Sequence, residues 1–293
     1  MNGTSRSFVR LVCAGALLAA TVLAAQDGPR RPRITGINHV ALRVTDAATA
    51  RPFYQDVLGL TERAASPARR FAYSIGHRQH LILEPGLPEG EEERLSHLAF
   101  ETPDVGALAA YLTSRGVAVD QPAGRCEETA IRLADPDGHP LEFVQASWPS
   151  DGEPADRGRA LSSRLLHAGL IVRDQQAADR FYRDTLGFSE IWRGGRTDAT
   201  IDWINMRVPD GTDYLEYMLR AAAPDRRQRG VLHHICLLVP DIQDAWEAVA
   251  ARTSAEARPR LAPPNVGRNG RWQLNLYDRD GTRTELMEPF RIR

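Results

Sequence analysis

Four times along the chain, a histidine near the start of an apolar stretch is followed seven residues later by an aspartate: INHVALRVTD, LSHLAFETPD, LLHAGLIVRD and LHHICLLVPD. The pairs are His39 and Asp46, His97 and Asp104, His167 and Asp174, and His234 and Asp241. A spacing kept four times in one chain marks an internal repeat, so the fold must be built by placing one supersecondary unit four times.

Each aspartate opens a stretch of helical character, such as DAATARPFYQDVLGL and DQQAADRFYRDTLGF, and reads as the cap of a helix N-terminus. Gly59 and Gly187 stand at matching offsets as left-handed stops of the first and third helices. Short alternating segments follow. Three units then carry an Asp-Gly turn, at Asp137-Gly138, Asp210-Gly211 and Asp280-Gly281, feeding last strands HPLEFV, DYLEYM and TRTELM. The first unit lacks the turn and offers HLILEP, so each last strand holds one glutamate: Glu84, Glu142, Glu216 and Glu285.

The coarse reading is strand, helix, then about three strands, four times over, in residues 36–90, 93–148, 164–220 and 230–290, which is an α+β class of fold. The stretch PSDGEPADRGRA is rich in Pro, Gly and charge and reads as a linker, residues 149–163, between two two-unit domains at 36–148 and 164–293.

Strand side chains alternate faces. In the first strand Val40, Leu42 and Val44 share one side while His39, Ala41 and Arg43 share the other, and the remaining three units split in the same way. The apolar side is expected to pack on the helices and the histidines to look into the concave side of each sheet. The glutamates obey the same parity, each with at least one large apolar residue beside it. A carboxylate in such surroundings costs several kcal/mol, to order of magnitude, unless a cation or hydrogen-bond donors compensate it. A single histidine at a strand start is usually a solvated or satisfied residue, but four in register with four glutamates make the donor set of a divalent first-row metal.

The other histidines carry less: His77, His80 and His139 fall in or near turns and are expected to be exposed, and His233 points to the face opposite His234. Trp192, Trp203, Trp246 and Trp272 are scattered and read first as core packing. Arg43, Arg268 and Arg271 are candidates for holding an anionic substrate.

The 293 residues carry a formal net charge of -1, with Lys and Arg dispersed, which leaves no electrostatic footprint for nucleic acid and points to small molecules as partners. Arg6 and Arg10 precede LVCAGALLAATVLAA, an apolar run short for a bilayer span and ending in small residues, so residues 1–25 read as a secretory signal and 26–35 as a linker. The expectation is an exported protein (periplasmic or extracellular), off the membrane once the signal is cleaved, and a monomer or homodimer. Of three cysteines, Cys13 would leave with the signal; Cys126 and Cys236 are not expected to form a disulfide framework.

Taken together, HVALRVTD with FYQDVLGL, HLAFETPD with DPDGHPLEF, HAGLIVRD with FYRDTLGF and PDGTDYLEY, and HICLLVPD with YDRDGTRTEL resemble the vicinal oxygen chelate superfamily. That superfamily includes lactoylglutathione lyase, methylmalonyl-CoA epimerase, bleomycin resistance proteins and extradiol dioxygenases. The resemblance implies βαβββ modules in two paired-module domains, with curled mixed sheets around a metal cavity. It further implies that the metal, Zn, Ni, Mn or Fe, is held by His39, Glu84, His97 and Glu142 in the first pair and by His167, Glu216, His234 and Glu285 in the second. The second set is favoured because its strands match the family most fully.

Three activities compete. A lyase or isomerase like lactoylglutathione lyase would polarise adjacent substrate oxygens and use Glu285 or Glu142 as base, with Arg43 at a substrate-carboxylate position. A ferrous extradiol dioxygenase would use His167, His234 and Glu285, but its second histidine and its tyrosine are replaced by the VGRNGRW stretch and Asn275, and Tyr277 falls two residues late. A binding protein of the bleomycin resistance kind would have lost the donors, and here they remain.

Overall fold

The structure, a computed structural model, describes residues 28–63, 71–91, 93–125, 128–146, 158–219 and 232–292. The expected signal, residues 1–25, lies outside them, as do Cys126 and much of the 149–163 linker. Cys236 is a buried free thiol.

The first half contains β1 (Gly36–Val44), β2 (Thr61–Arg63), β3 (Phe71–Ile75), β4 (Gln79–Pro85), β5 (Leu95–Glu101), β6 (Ala123–Arg125), β7 (Glu128–Ala134) and β8 (Pro140–Ala146). They form one sheet in the order β2-β3-β4-β1-β5-β8-β7-β6. The second half repeats it with β9 (Leu165–Ile171), β10 (Ser189–Gly194), β11 (Trp203–Arg207), β12 (Tyr214–Met218), β13 (His234–Leu238), β14 (Asn265–Val266), β15 (Arg271–Tyr277) and β16 (Arg283–Arg291), in the order β10-β11-β12-β9-β13-β16-β15-β14. Within each unit the first strand runs parallel to the last, as in β1 with β4 and β13 with β16, and two units join through their antiparallel first strands. The four βαβββ modules expected from the repeat are all present, paired in two mixed sheets.

The aspartates do the structural work assigned to them. Asp46, Asp104 and Asp174 accept from the backbone N–H three residues on at 2.8–3.0 Å, and Asp241 accepts from Gln243 and Asp244. The capped helices are α1 (Ala47–Arg51), α2 (Val105–Ser114), α3 (Gln175–Ala178) and α4 (Ile242–Arg252); α1 and α3 continue as π-wound turns, Pro52–Val57 and Asp179–Thr185. Gly59 (φ 74°) and Gly187 (φ 82°) end them in the left-handed conformation, as their spacing predicts.

The apolar strand faces behave as the alternation predicts: Val40, Leu42, Leu98, Phe100, Ala168, Leu170, Ile235 and Leu237 are all within one buried cluster that runs through both halves. The helices cross-link it. Tyr54, in the π turn of the first module, donates to Asp278 of the fourth at 2.9 Å, and Tyr182 of the third donates to Asp135 of the second, also at 2.9 Å. The segment read as a linker, 26–35, is anchored where it is described: Ile34 is buried, its N–H bonds Asp210, and Arg31 pairs with the same carboxylate.

Two exposure expectations need correction. His80 lies on β4 rather than in a turn, is 8% exposed and stacks on His39 with ring centroids 4.9 Å apart; burial, then Arg63, lowers its pKa to about 4. His139 is buried because Asp135 holds its Nδ1 at 2.8 Å. His77 is exposed, as expected.

Candidate metal centres

In the second half, the parallel register of β9 with β12 and of β13 with β16 brings four donors to one point on the concave face. His167 Nε2 and His234 Nε2 are 3.1 Å apart. Glu285 Oε2 lies 3.4 and 3.6 Å from them, and Glu216 Oε2 lies 3.9 and 3.3 Å away. Points with these separations share a common point about 2 Å from each, which is the length of a metal–nitrogen or metal–oxygen bond. Two carboxylates and two imidazoles, nearly all buried and aimed at one place, fit a divalent cation by donor chemistry as well as by distance.

The surroundings fix this geometry. The His167 ring packs on Tyr214 at 4.6 Å between centroids. Gly169 sits opposite His234 across the β9–β13 pair, and a Cβ there would come within 2.0 Å of the imidazole, so only glycine leaves room for this ligand. The Nδ1 of His234 lies 2.9 Å from the Leu232 carbonyl and 2.7 Å from Arg283 Nη2. Burial acts to raise the Glu285 pKa, but its contacts with His167 and His234, helped by Arg283, outweigh this and hold it far below the usual carboxylate range. Glu216 is held low against the same burial by His234 and His167. Burial and Arg283 push His234 down, and the two carboxylates more than reverse this, so it is raised.

Along the strands the donors are flanked by apolar groups: Tyr214, Cys236 and Met287 with Leu238 in one cluster, and Ile171, Met218 and Leu232 with Trp203 in another. Of the tryptophans named above, Trp203 packs with this wall, while Trp246 and Trp272 pack on the main core. Arg268 pairs with Asp198, and Arg271 reaches the sulfur of Met287 at 4.0 Å.

In the first half His39 Nε2 and His97 Nε2 are 3.0 Å apart, with Glu142 Oε2 4.0 Å from each. Glu84 does not join them. In the second half Glu216 stands opposite Gly169, and the position opposite the equivalent Ala41 is Ile82. Glu84 stands two residues further along, opposite Arg43, and its Oε2 accepts from Ser96 at 2.5 Å. With the last strands matched on their glutamates, HLILEP stands two residues out of the structural register. Such a displacement preserves the face and moves the side chain about 6–7 Å along the strand, so alternation could not reveal it. Arg43 shares that end of the strand and is no neighbour of Ile82 in the register.

Sequence reasoning also missed residues that only register brings to the sites. Asn205 pairs with Glu216 and Asn275 with Glu285, so asparagines flank both carboxylates. Asn205 is buried, and its amide oxygen has no partner among the described residues. Arg132 occupies the place of Asn275 in the first half and donates from Nε to Glu142 Oε1 at 2.6 Å.

Paired modules with a donor cluster on each curled sheet define a class of metal-binding proteins that take small molecules in the concavity. The chain belongs to the glyoxalase/bleomycin resistance protein/dioxygenase superfamily, whose sequence pattern matches residues 36–143 and 164–286. Its relatives include the catechol-2,3-dioxygenase of Bacillus subtilis, 27% identical over an alignment of 190 residues that covers 54% of this chain and 66% of that one, just under two thirds of its length. An ethylmalonyl-CoA/methylmalonyl-CoA epimerase of Cereibacter sphaeroides is 28% identical over 125 residues, 40% of this chain and 90% of the other. Among solved structures, an extradiol ring-cleaving dioxygenase from Brevibacterium fuscum superposes with a TM-score of 0.68 over 88% of this chain and 73% of that one, at 22% identity, a likeness of fold. The cofactor that this family and this donor set define is a divalent metal ion.

Proposed function

We propose that the second half is a metal-dependent active site for a small molecule carrying two neighbouring oxygens, and that its reaction is a proton transfer of the lyase or isomerase kind. The observation that carries this reading is Glu216, a fourth donor within 3.9 Å of both imidazoles. His167, His234, Glu216 and Glu285 would hold a divalent ion that can still accept two neighbouring substrate oxygens. Bound there, a divalent ion supplies Lewis-acid polarisation of those oxygens and acidifies the adjacent C–H. His167 and His234 hold the site, and Tyr214 and Gly169 hold the two rings. Glu285, 4% exposed, is the carboxylate that would loosen from the metal and take the proton. Asn205 offers its unpartnered amide oxygen to a substrate hydroxyl beside Glu216, and the walls of Ile171, Met218 and Trp203 exclude water.

Deuterium incorporation from D2O into small α-hydroxyketones, followed by NMR on metal-loaded protein without oxygen, tests the assignment. Exchange that disappears in Glu285→Gln supports it. A second reading rests on the triad His167, His234 and Glu285, the set that a ring-cleaving dioxygenase would use, and on the named dioxygenase relatives. It requires oxygen uptake with catechols that depends on ferrous iron; such uptake without exchange would replace the first reading. We further propose that the chain is exported, on the signal pattern of residues 1–25, which fractionation of the producing cells would test.

A further inference from the structure

The two halves share one topology, and comparing them position by position shows that their donor clusters differ in kind. Opposite the second half's Glu216, Asn205, Asn275, Cys236 and Met287 stand Ile82, Ala72, Arg132, Ala99 and Val144 of the first. His39, His97 and Glu142 therefore form a three-donor set whose fourth protein position is closed by a hydrocarbon side chain. Separations of 3.0, 4.0 and 4.0 Å place a common point about 2.2 Å from each donor, so these residues also fit a metal ion. Arg132 engages Oε1 of Glu142 and leaves Oε2 toward the histidines, which makes the carboxylate a one-oxygen ligand.

Charge and space differ in the same sense. Each centre has one guanidinium beside it, Arg283 against His234 and Arg132 on Glu142. Two carboxylates in the second half and one in the first therefore leave the first centre one charge more positive. The residues around it are small, Ala99, Ala130 and Val144, where the second half has Cys236, Gln273 and Met287.

We propose that the first half is a second, distinct metal centre: three protein donors, three open positions, and a net positive charge that recruits an anionic ligand through adjacent oxygens. It holds metal more weakly than the four-donor centre and binds anionic ligands more tightly. This assignment stands apart from the reaction proposed for the second half, since it concerns occupancy and ligand charge.

Titration of the metal-free full chain with Co(II), followed by its visible absorption, tests it. Two equivalents are expected, in two affinity classes. His97→Ala and Glu142→Gln should each remove the weaker class and keep the tighter one, while His234→Ala should do the reverse. Ile82→Glu should tighten the weaker class by about tenfold or more by restoring a fourth donor. Oxalate, a dianion with adjacent oxygens, should perturb the absorption of wild type and of His234→Ala, but not of His97→Ala. A single equivalent that survives His97→Ala overturns the second centre. Two equivalents with oxalate acting on His97→Ala overturn the charge assignment. Wild-type protein that binds one weak equivalent, lost in His97→Ala and kept in His234→Ala, would count against the second half's proposed site and leave this one standing.

Discussion

At the scale of single residues, the second-half centre depends as much on what is small as on what binds. Gly169 is the clearest case, because any side chain there meets the His234 ring. Gly169→Ala is expected to lower metal affinity in the second half by about 10–100-fold, the range found when the support of a ligand is disturbed, with the first half unaffected in the same Co(II) titration. Asn205 acts differently. Its amide oxygen has no hydrogen-bond partner among the described residues, so Asn205→Ala should leave metal content unchanged and raise KM more than it lowers kcat in the reaction of the site. His39, His97, His167 and His234, and three of the four glutamates, were legible from sequence because a strand's two-residue period fixes their face. Glu84 was misassigned because period alone cannot tell a residue from its neighbour two positions on. Arg132, Asn205 and Arg283 were invisible, since their closeness to the donors exists only through strand pairing.

At the scale of elements, the seven-residue spacing of histidine to aspartate joins two unrelated jobs. The strand that presents the histidine must end where the helix begins, and the aspartate accepts the helix's unpaired N–H groups there. Asp104→Ala should accordingly cost about 1 kcal/mol of stability, as other lost caps do, with metal content unaltered. A fall in metal content matching that of His97→Ala would show that the two roles are not separable. The helices were anticipated from their caps and glycine stops, but the π winding of Pro52–Val57 and Asp179–Thr185 was not. Both FYxD segments share it, including the one without proline, so proline is not its cause, and no periodicity of apolar residues announces a turn widened by one residue.

At the scale of the whole molecule, the halves read from sequence as two domains on a linker are fastened at both ends by reciprocal ties. Tyr54 reaches Asp278, Tyr182 reaches Asp135, and the apolar backs of both sheets contribute to one buried cluster. Such a molecule should unfold in one calorimetric transition rather than two. Tyr182→Phe leaves the buried Asp135 short of a donor and should destabilise the chain by about 1–3 kcal/mol. The same tie sets a pH dependence. Burial alone would raise Asp135, but its bonds to His139 and Tyr182 depress it, so its contribution is present above its unfolded value of 3.8 and is lost as pH falls through the lower folded value. Burial would lower His139, but Asp135 raises it, so its contribution is complete below 6.5 and is lost as pH rises through the higher folded value. The pair therefore supports the interface most strongly between about pH 4 and 6.5. His139→Gln should flatten stability against pH in the range just above 6.5, measured by thermal unfolding at fixed metal occupancy. An unchanged slope there would mean that the imidazolium is not what binds Asp135 to the turn.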